Sequence, residues 1–438
     1  MTDQIYIYSE QNSPRLLYAF NLIFKDLLGF DKINIISGIS EFNQIENAPK
    51  LSYGVQISKK IPYLASGNSV LIMEKGIGDQ KPHMLSGELY PCFFGHSDAR
   101  SLLPFDFPAL AFWCCSRYEE YQPFAADNHG RFSAERSFAF QNGFLHLPIL
   151  NLWAEELRKK LQHHFEMPPQ KEYKFIPTYD IDYAWAYKYK AVWRQIAAAG
   201  RDLLKGRAGT LFERIAVRFG KNDPFYNFDY IRSLHVNSSD KPLFFWLLGN
   251  YSEFDKNIDY KVPAFRKLIQ DIANDFECGI HPSYQSNSEP GKVSAELNRL
   301  EGIIGKKVIK SRQHFLKLNF PQSYQNLIQK GIKEDYSLGY AEELGFRASI
   351  ATPFNCYDIS KEQETDLRIH PFMLMDVTLN VYQKLDTVTA LEKVIPIIEI
   401  TKKVGGELIS IWHNNSFCEK DNWKGWRALY ENVLKAAR

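Results

Sequence analysis

The sequence predicts an α/β protein in two parts, a smaller mixed α/β domain over residues 1–170 and a sheet of parallel strands over residues 171–438. Three observations lead there. Strand-like runs recur at FIPTYD, LFFWLLG, CGIH, KVIKS, GFRASI and ELISIWH. Segments with helical spacing lie between several of them, and strand–helix alternation implies parallel pairing. A seam at FEMPPQKEYK, residues 165–174, carries a proline pair and mixed charge. Five or more alternating units suit either a barrel or a doubly wound sheet.

Before the seam, IYIY, INIIS and SVLIME read as short strands, and LLPFDFPALAFWCCSRYEEY as a buried apolar helix. The run LNLWAEELRKKLQHHF then reads as a helix leading into the seam. Beyond it, Phe265, Leu268, Ile269, Ile272 and Phe276 recur every three or four residues, which predicts a helix over 261–276. Leu297, Leu300, Ile303 and Ile304 repeat the pattern over 293–304, with Gly305 as its C-cap. Residues 183–240 hold no strand-like run and predict a mostly helical insertion, a lid or cleft wall.

Composition narrows the function. The 438 residues are 45% hydrophobic and 24% charged, as in globular proteins, and the net charge of +2 gives no footprint for nucleic acid. Six cysteines include no CxxC pair and read as reduced thiols. The start MTDQIYIYSEQ lacks the basic and apolar regions of a secretion signal, and no apolar run reaches the ~20 residues of a membrane span. A cytoplasmic location is the expectation.

Polar residues end the strand-like runs: Asp180 and Asp182 after FIP, His281 after CGI, Arg312 and His314 after VIKS, His413 after ISIW. In a parallel barrel the C-terminal strand ends share one face, where sites are built. Residues two apart on a strand face the same way, so both carboxylates of the D-x-D enter one cavity. Their repulsion is relieved by a divalent cation on one of them, the other staying free as a base. An isolated D-x-D more often caps a turn, and a lone histidine at a strand end is more often structural. Together they suit zinc, which favours His and carboxylate ligands.

TYDID, LFFWLLGN, GIHPSYQ, SRQHF and SIWHN, in that order, resemble the NodB-homology polysaccharide deacetylases, carbohydrate esterase family four, over roughly residues 174–438. That resemblance implies a distorted, incomplete (β/α) barrel and a metal-dependent hydrolase that removes an acetyl group from an N-acetylated sugar or glycan precursor. It implies Asp180 as general base, Asp182 and His281 as ligands of a divalent ion, most simply Zn2+, Arg312 as the cation that orients the base, and His413 as the acid. SRYEEYQPF and DNHGRFSAERSFAF resemble the preface found before this subtype in bacterial proteins, and Asp127 and His129 there read as a loop clamp.

Two departures stand out. Gln285 occupies the position of the family's second motif histidine, and an amide is a poor zinc ligand. His314 replaces the usual proline of the third motif, so it is expected to supply the missing nitrogen and give an Asp182–His281–His314 site. Tyr284, Trp412, Asp335 and Tyr336 are expected to line the cleft, with Asp335 pairing Arg312. His370 and Asp376 form a further polar pair, expected to be structural. A non-catalytic carbohydrate-binding protein on a degenerate barrel is the rival; Gln285 favours it, and Asp180, Arg312 and His413 together oppose it.

Overall fold

The computed structural model describes residues 4–67, 78, 82–190, 194–196, 198, 200, 204, 208–236 and 238–438. Strands β1 (Gln4–Tyr8), β2 (Lys32–Ile36), β3 (Lys50–Tyr53) and β4 (Tyr63–Leu64) form a parallel sheet in the order β2-β1-β3-β4. The run SVLIME lies outside the described residues. The helix Phe107–Cys115 buries all nine of its residues, as its unbroken apolar run requires. Asp106 caps it, its carboxylate accepting from the Ala109 N–H at 3.0 Å.

The second sheet contains β5 (Lys174–Ile181), β6 (Leu243–Trp246), β7 (Glu277–Ile280), β8 (Lys310–Ser311), β9 (Glu334–Asp335), β10 (Phe354–Asp358), β11 (Gln363–Ile369), β12 (Leu374–Met375) and β13 (Glu407–His413). Their order is β10-β11-β9-β8-β7-β6-β5-β13-β12, parallel throughout except for the β10–β11 hairpin. No ladder closes the sheet among the described residues, and β10 and β12 are its edges. GFRASI corrects the reading of that run as a strand. It forms turns, and the hairpin that follows it supplies the strands instead. Its Arg347 is drawn into a side-chain network rather than a ladder.

The sheet nevertheless curls. A flat one would hold β8 and β5 about 14 Å apart across β7 and β6, yet Arg312, just past β8, bonds Asp180 of β5 at 2.8 Å. The concave face is filled by Leu243 and Phe245 of β6, Ile409 and Ile411 of β13, Tyr336 and Phe372. Alternate residues of the same strands, Phe244, Trp246, Leu408 and Trp412, pack outward against helices. Those helices include Pro263–Asp275, which buries Phe265, Leu268, Ile269 and Ile272, and Pro290–Ile304, capped by Gly305 at φ 70°. In the 183–240 insertion the described residues form the helices Ala208–Arg218 and Phe228–Ser233 and no strand.

The first sheet's surroundings and the second sheet share one apolar core. An ion network crosses between them: Glu120 takes Arg117 Nε at 2.8 Å and Arg347 Nη2 at 2.5 Å, all three fully enclosed. Removing one member of such a group leaves uncompensated charge in a medium that solvates it poorly. Glu120→Ala is therefore expected to lower unfolding stability by about 3–5 kcal/mol, read by denaturant titration. A loss below about 1 kcal/mol would mean that the arginines reach water.

Candidate metal centre

The first carboxylates come from the end of β5, Asp180, and the residue just past it, Asp182. The strand's alternation turns Ile176, Thr178, Asp180 and Asp182 toward the concave side and Tyr179 and Ile181 outward, where they join the outer core. Asp180 is anchored: its Oδ1 accepts from Arg312 Nη1 at 2.8 Å, and the same nitrogen donates to Thr178 Oγ1 at 2.6 Å. Arg312 has no exposed surface; its Nε donates to the Tyr336 carbonyl at 3.0 Å, and its guanidinium lies 4.4 Å from the Phe245 ring.

Asp182 faces two imidazoles. Its Oδ1 lies 3.3 Å from His281 Nε2 and its Oδ2 3.6 Å from His314 Nε2. The far nitrogens fix both rings. His281 Nδ1 sits 2.5 Å from the Arg312 carbonyl, which accepts only, so Nδ1 is the donor there and the ring presents Nε2 to Asp182. His314 Nδ1 is held at 2.9 Å by the fully buried Asp255 carboxylate. One ligand atom from each of Asp182, His281 and His314 lies within 4.8 Å of the others. Asp182 Oδ1 is buried with no hydrogen-bond partner among the described residues. An orphaned carboxylate oxygen facing two oriented nitrogens fits a divalent cation of the zinc type.

His413 closes the cavity on the β13 side, its Nε2 lying 3.8 Å from Asp182 Oδ2. Asp376 holds it from behind, accepting from His413 Nδ1 and from its backbone N–H, both at 2.8 Å, while Ser416 also donates to Asp376. The cavity is about 150 Å³, roughly five water molecules' share of liquid volume. Asp180, Asp182, His281, His314 and His413 all line it.

Burial favours a neutral Asp182, but His314, His281 and His413 outweigh it and hold the carboxyl well below the ordinary range. Burial likewise opposes charge on the rings. Asp182 and Asp255 still raise His314 to about 9, and Asp376 with Asp182 and Asp180 raises His413 to about 10, both from 6.5. Groups whose pKa rises on folding stabilise the fold fully below the unfolded value and lose that contribution as pH climbs through the folded one. The melting temperature of chelator-treated protein is therefore expected to fall between pH 6.5 and about 10 as these two rings discharge. A melting temperature that rises across that window would contradict the ion pairs.

Four expected cleft residues sit elsewhere. Trp412 is fully buried on the outer face against Tyr430, because the alternation that points His413 inward points its neighbour away. Asp335 does not pair Arg312; it accepts from Ser311 Oγ at 2.7 Å and Ser337 Oγ at 2.9 Å with no exposed surface. Tyr336 lies below the cavity, stacked on His370 and donating to Glu334 at 2.8 Å. Tyr284 does not line the cavity and packs in a ring cluster with Phe315, Phe254 and His129. His370 and Asp376 are not a pair: His370 lies between Glu334 and Glu407, away from Asp376. Gln285 is outside the cavity, accepting from Lys292 Nζ at 2.6 Å.

Sequence reasoning passed over Asp255, Arg131 and Tyr382. Asp255 carries no motif and lies nine residues past β6. Arg131 and Tyr382 come from distant segments but line the same cavity. Arg131 belongs to the DNHGRF stretch that the sequence marked as a clamp.

Residues 5–166 match a family described as one of unknown function, DUF7033. No curated protein matches the chain. Among solved structures, a protein from Mycobacterium smegmatis described as a polysaccharide deacetylase aligns at 14% identity and TM-score 0.40, over 62% of this chain and 87% of that one. The polysaccharide deacetylase Bc1974 from Bacillus cereus aligns at 11% identity and TM-score 0.29, over 61% and 88%. A BA3943 mutant, a CE4 family pseudoenzyme with restored activity, aligns at 12% identity and TM-score 0.27, over 61% and 64%. No helix among the described residues is long and apolar enough to cross a membrane.

Proposed function

We propose that the chain is a metal-dependent hydrolase that removes the acetyl group from an N-acetylated sugar or glycan precursor. The observation that carries this reading is the meeting of Asp182, His281 and His314 in the cavity that Asp180 and His413 also line. A divalent cation bound there, Zn2+ by the character of the donors, supplies Lewis acidity to the acyl oxygen and brings water's pKa near neutrality.

The chain's own residues supply the rest. Asp182 and the Nε2 atoms of His281 and His314 would hold the cation, with Asp255 and the Arg312 carbonyl fixing the rings. Asp180, held by Arg312, accepts the proton of the attacking water as the new C–O bond forms. His413, kept charged by Asp376, donates to the nitrogen as the C–N bond breaks, releasing acetate and a free amine. A charged imidazole and an Arg-held Asp side chain in one cavity match that division of labour. A protein that only bound sugars would need neither.

Acetate release from N-acetylglucosamine oligomers, measured before chelation, after it and after Zn2+ re-addition, tests the proposal. Release that falls with chelation and returns with metal is expected; no release under any of these conditions would remove the reading.

A further inference from the structure

His314 sits on a backbone that needs support. The two residues after it, Phe315 and Leu316, both occupy the left-handed region, at φ 61° and 53°. Side chains with a Cβ rarely adopt it, and two in succession persist only where surrounding contacts over-determine them. Local bonds contribute little: Leu316 N–H donates to the Gln313 carbonyl at 2.9 Å. The Phe254 and Tyr284 rings pack on Phe315, and a further grip comes from the N-terminal segment. Arg131 Nη1 donates to the Phe315 carbonyl at 2.8 Å, and the His129 ring packs on the Phe315 ring with centroids 4.8 Å apart.

The loop that delivers these contacts is itself built to shape. Asp127 Oδ1 accepts from the His129 and Arg131 N–H groups at 2.9 and 2.8 Å, and its Oδ2 accepts from Arg131 Nε at 2.8 Å. Gly130 turns the chain between them at φ 77°. Arg131 is 7% exposed and lines the cavity. A planar fork, fixed by one carboxylate and aimed at one carbonyl, carries geometry that a flexible ammonium does not.

We infer that residues 127–131, within the segment matched by the family of unknown function, position the third metal ligand: Arg131 and His129 hold the Phe315 turn so that His314 Nε2 faces Asp182. This gives that segment a part in the metal centre, and it rests on the metal reading above. Arg131 acts through Phe315 and is a positioning residue.

The test is Co2+ binding to the full-length chain, followed by the visible spectrum of the bound ion and by chelator competition. Arg131→Ala is expected to weaken binding about 10- to 100-fold, the usual effect of removing support behind a ligand, and to change the spectrum as His314 drifts. Arg131→Lys, which keeps the charge without the fork, is expected to fall in the same direction and serves if the alanine variant does not fold. Arg15→Ala is the control: Arg15 is also buried and ties the N-terminal segment to the β10–β11 turn, through Glu362 at 2.5 Å, but stands outside the cavity. Wild-type affinity and spectrum in both Arg131 variants would overturn the inference, as would an equal loss in Arg15→Ala. If the wild-type chain binds no Co2+ or Zn2+, the metal reading fails and takes this inference with it.

Discussion

Replacing His314 with alanine is expected to strip the protein of its divalent cation, raising the dissociation constant by more than about 100-fold. Loss of support behind a ligand costs about 10- to 100-fold, and this change removes the ligand itself from a set of three. Gln285→Ala is expected to leave affinity unchanged, because Gln285 lies outside the cavity with its amide oxygen on Lys292. Metal content after dialysis against trace Zn2+ reads both. A His314→Ala protein that keeps wild-type metal would show that the site is built without it, and a Gln285→Ala protein that loses metal would return that position to the ligand set.

The second large effect belongs to Asp180. Asp180→Asn keeps the shape but cannot take a proton, so kcat for acetate release is expected to fall by about 10²–10⁴ with metal content retained. The division of labour between the two aspartates stands on that split. Asp180 Oδ2 lies 3.8 Å from His281 Nε2, close enough for a ligand role to be the natural rival. Loss of metal together with activity would assign Asp180 to the cation rather than to the water. Circular dichroism has to accompany the measurement, because the substitution leaves Arg312 buried without its charged partner.

Much of this was legible in the chain because it follows from period. The two-residue alternation of β5 sends Asp180 and Asp182 to one side, and the three-and-four spacing of 263–275 and 290–304 fixes which helix faces are buried. The same rule, applied without the strand's neighbours, misplaced Trp412: next to His413 in sequence means opposite to it across the sheet. Asp335 and Tyr336 failed for another reason. Asp335 ends a two-residue strand and Tyr336 follows it, and nothing in so short a run says which way its end turns.

The sequence by itself determined the alternation of strands and helices and the residues at the ends of β5 and β13 and just beyond β7 and β8. Side-chain period and the termination of apolar runs are local properties. Only the tertiary structure decided that the sheet is curled but open, that Asp255 and Asp376 stand behind His314 and His413, and that Arg131 reaches the Phe315 turn from 184 residues away. Those depend on the curvature of a nine-stranded sheet and on packing between distant segments. No spacing along the chain encodes them, because the partners that satisfy a buried polar group are chosen by proximity after folding.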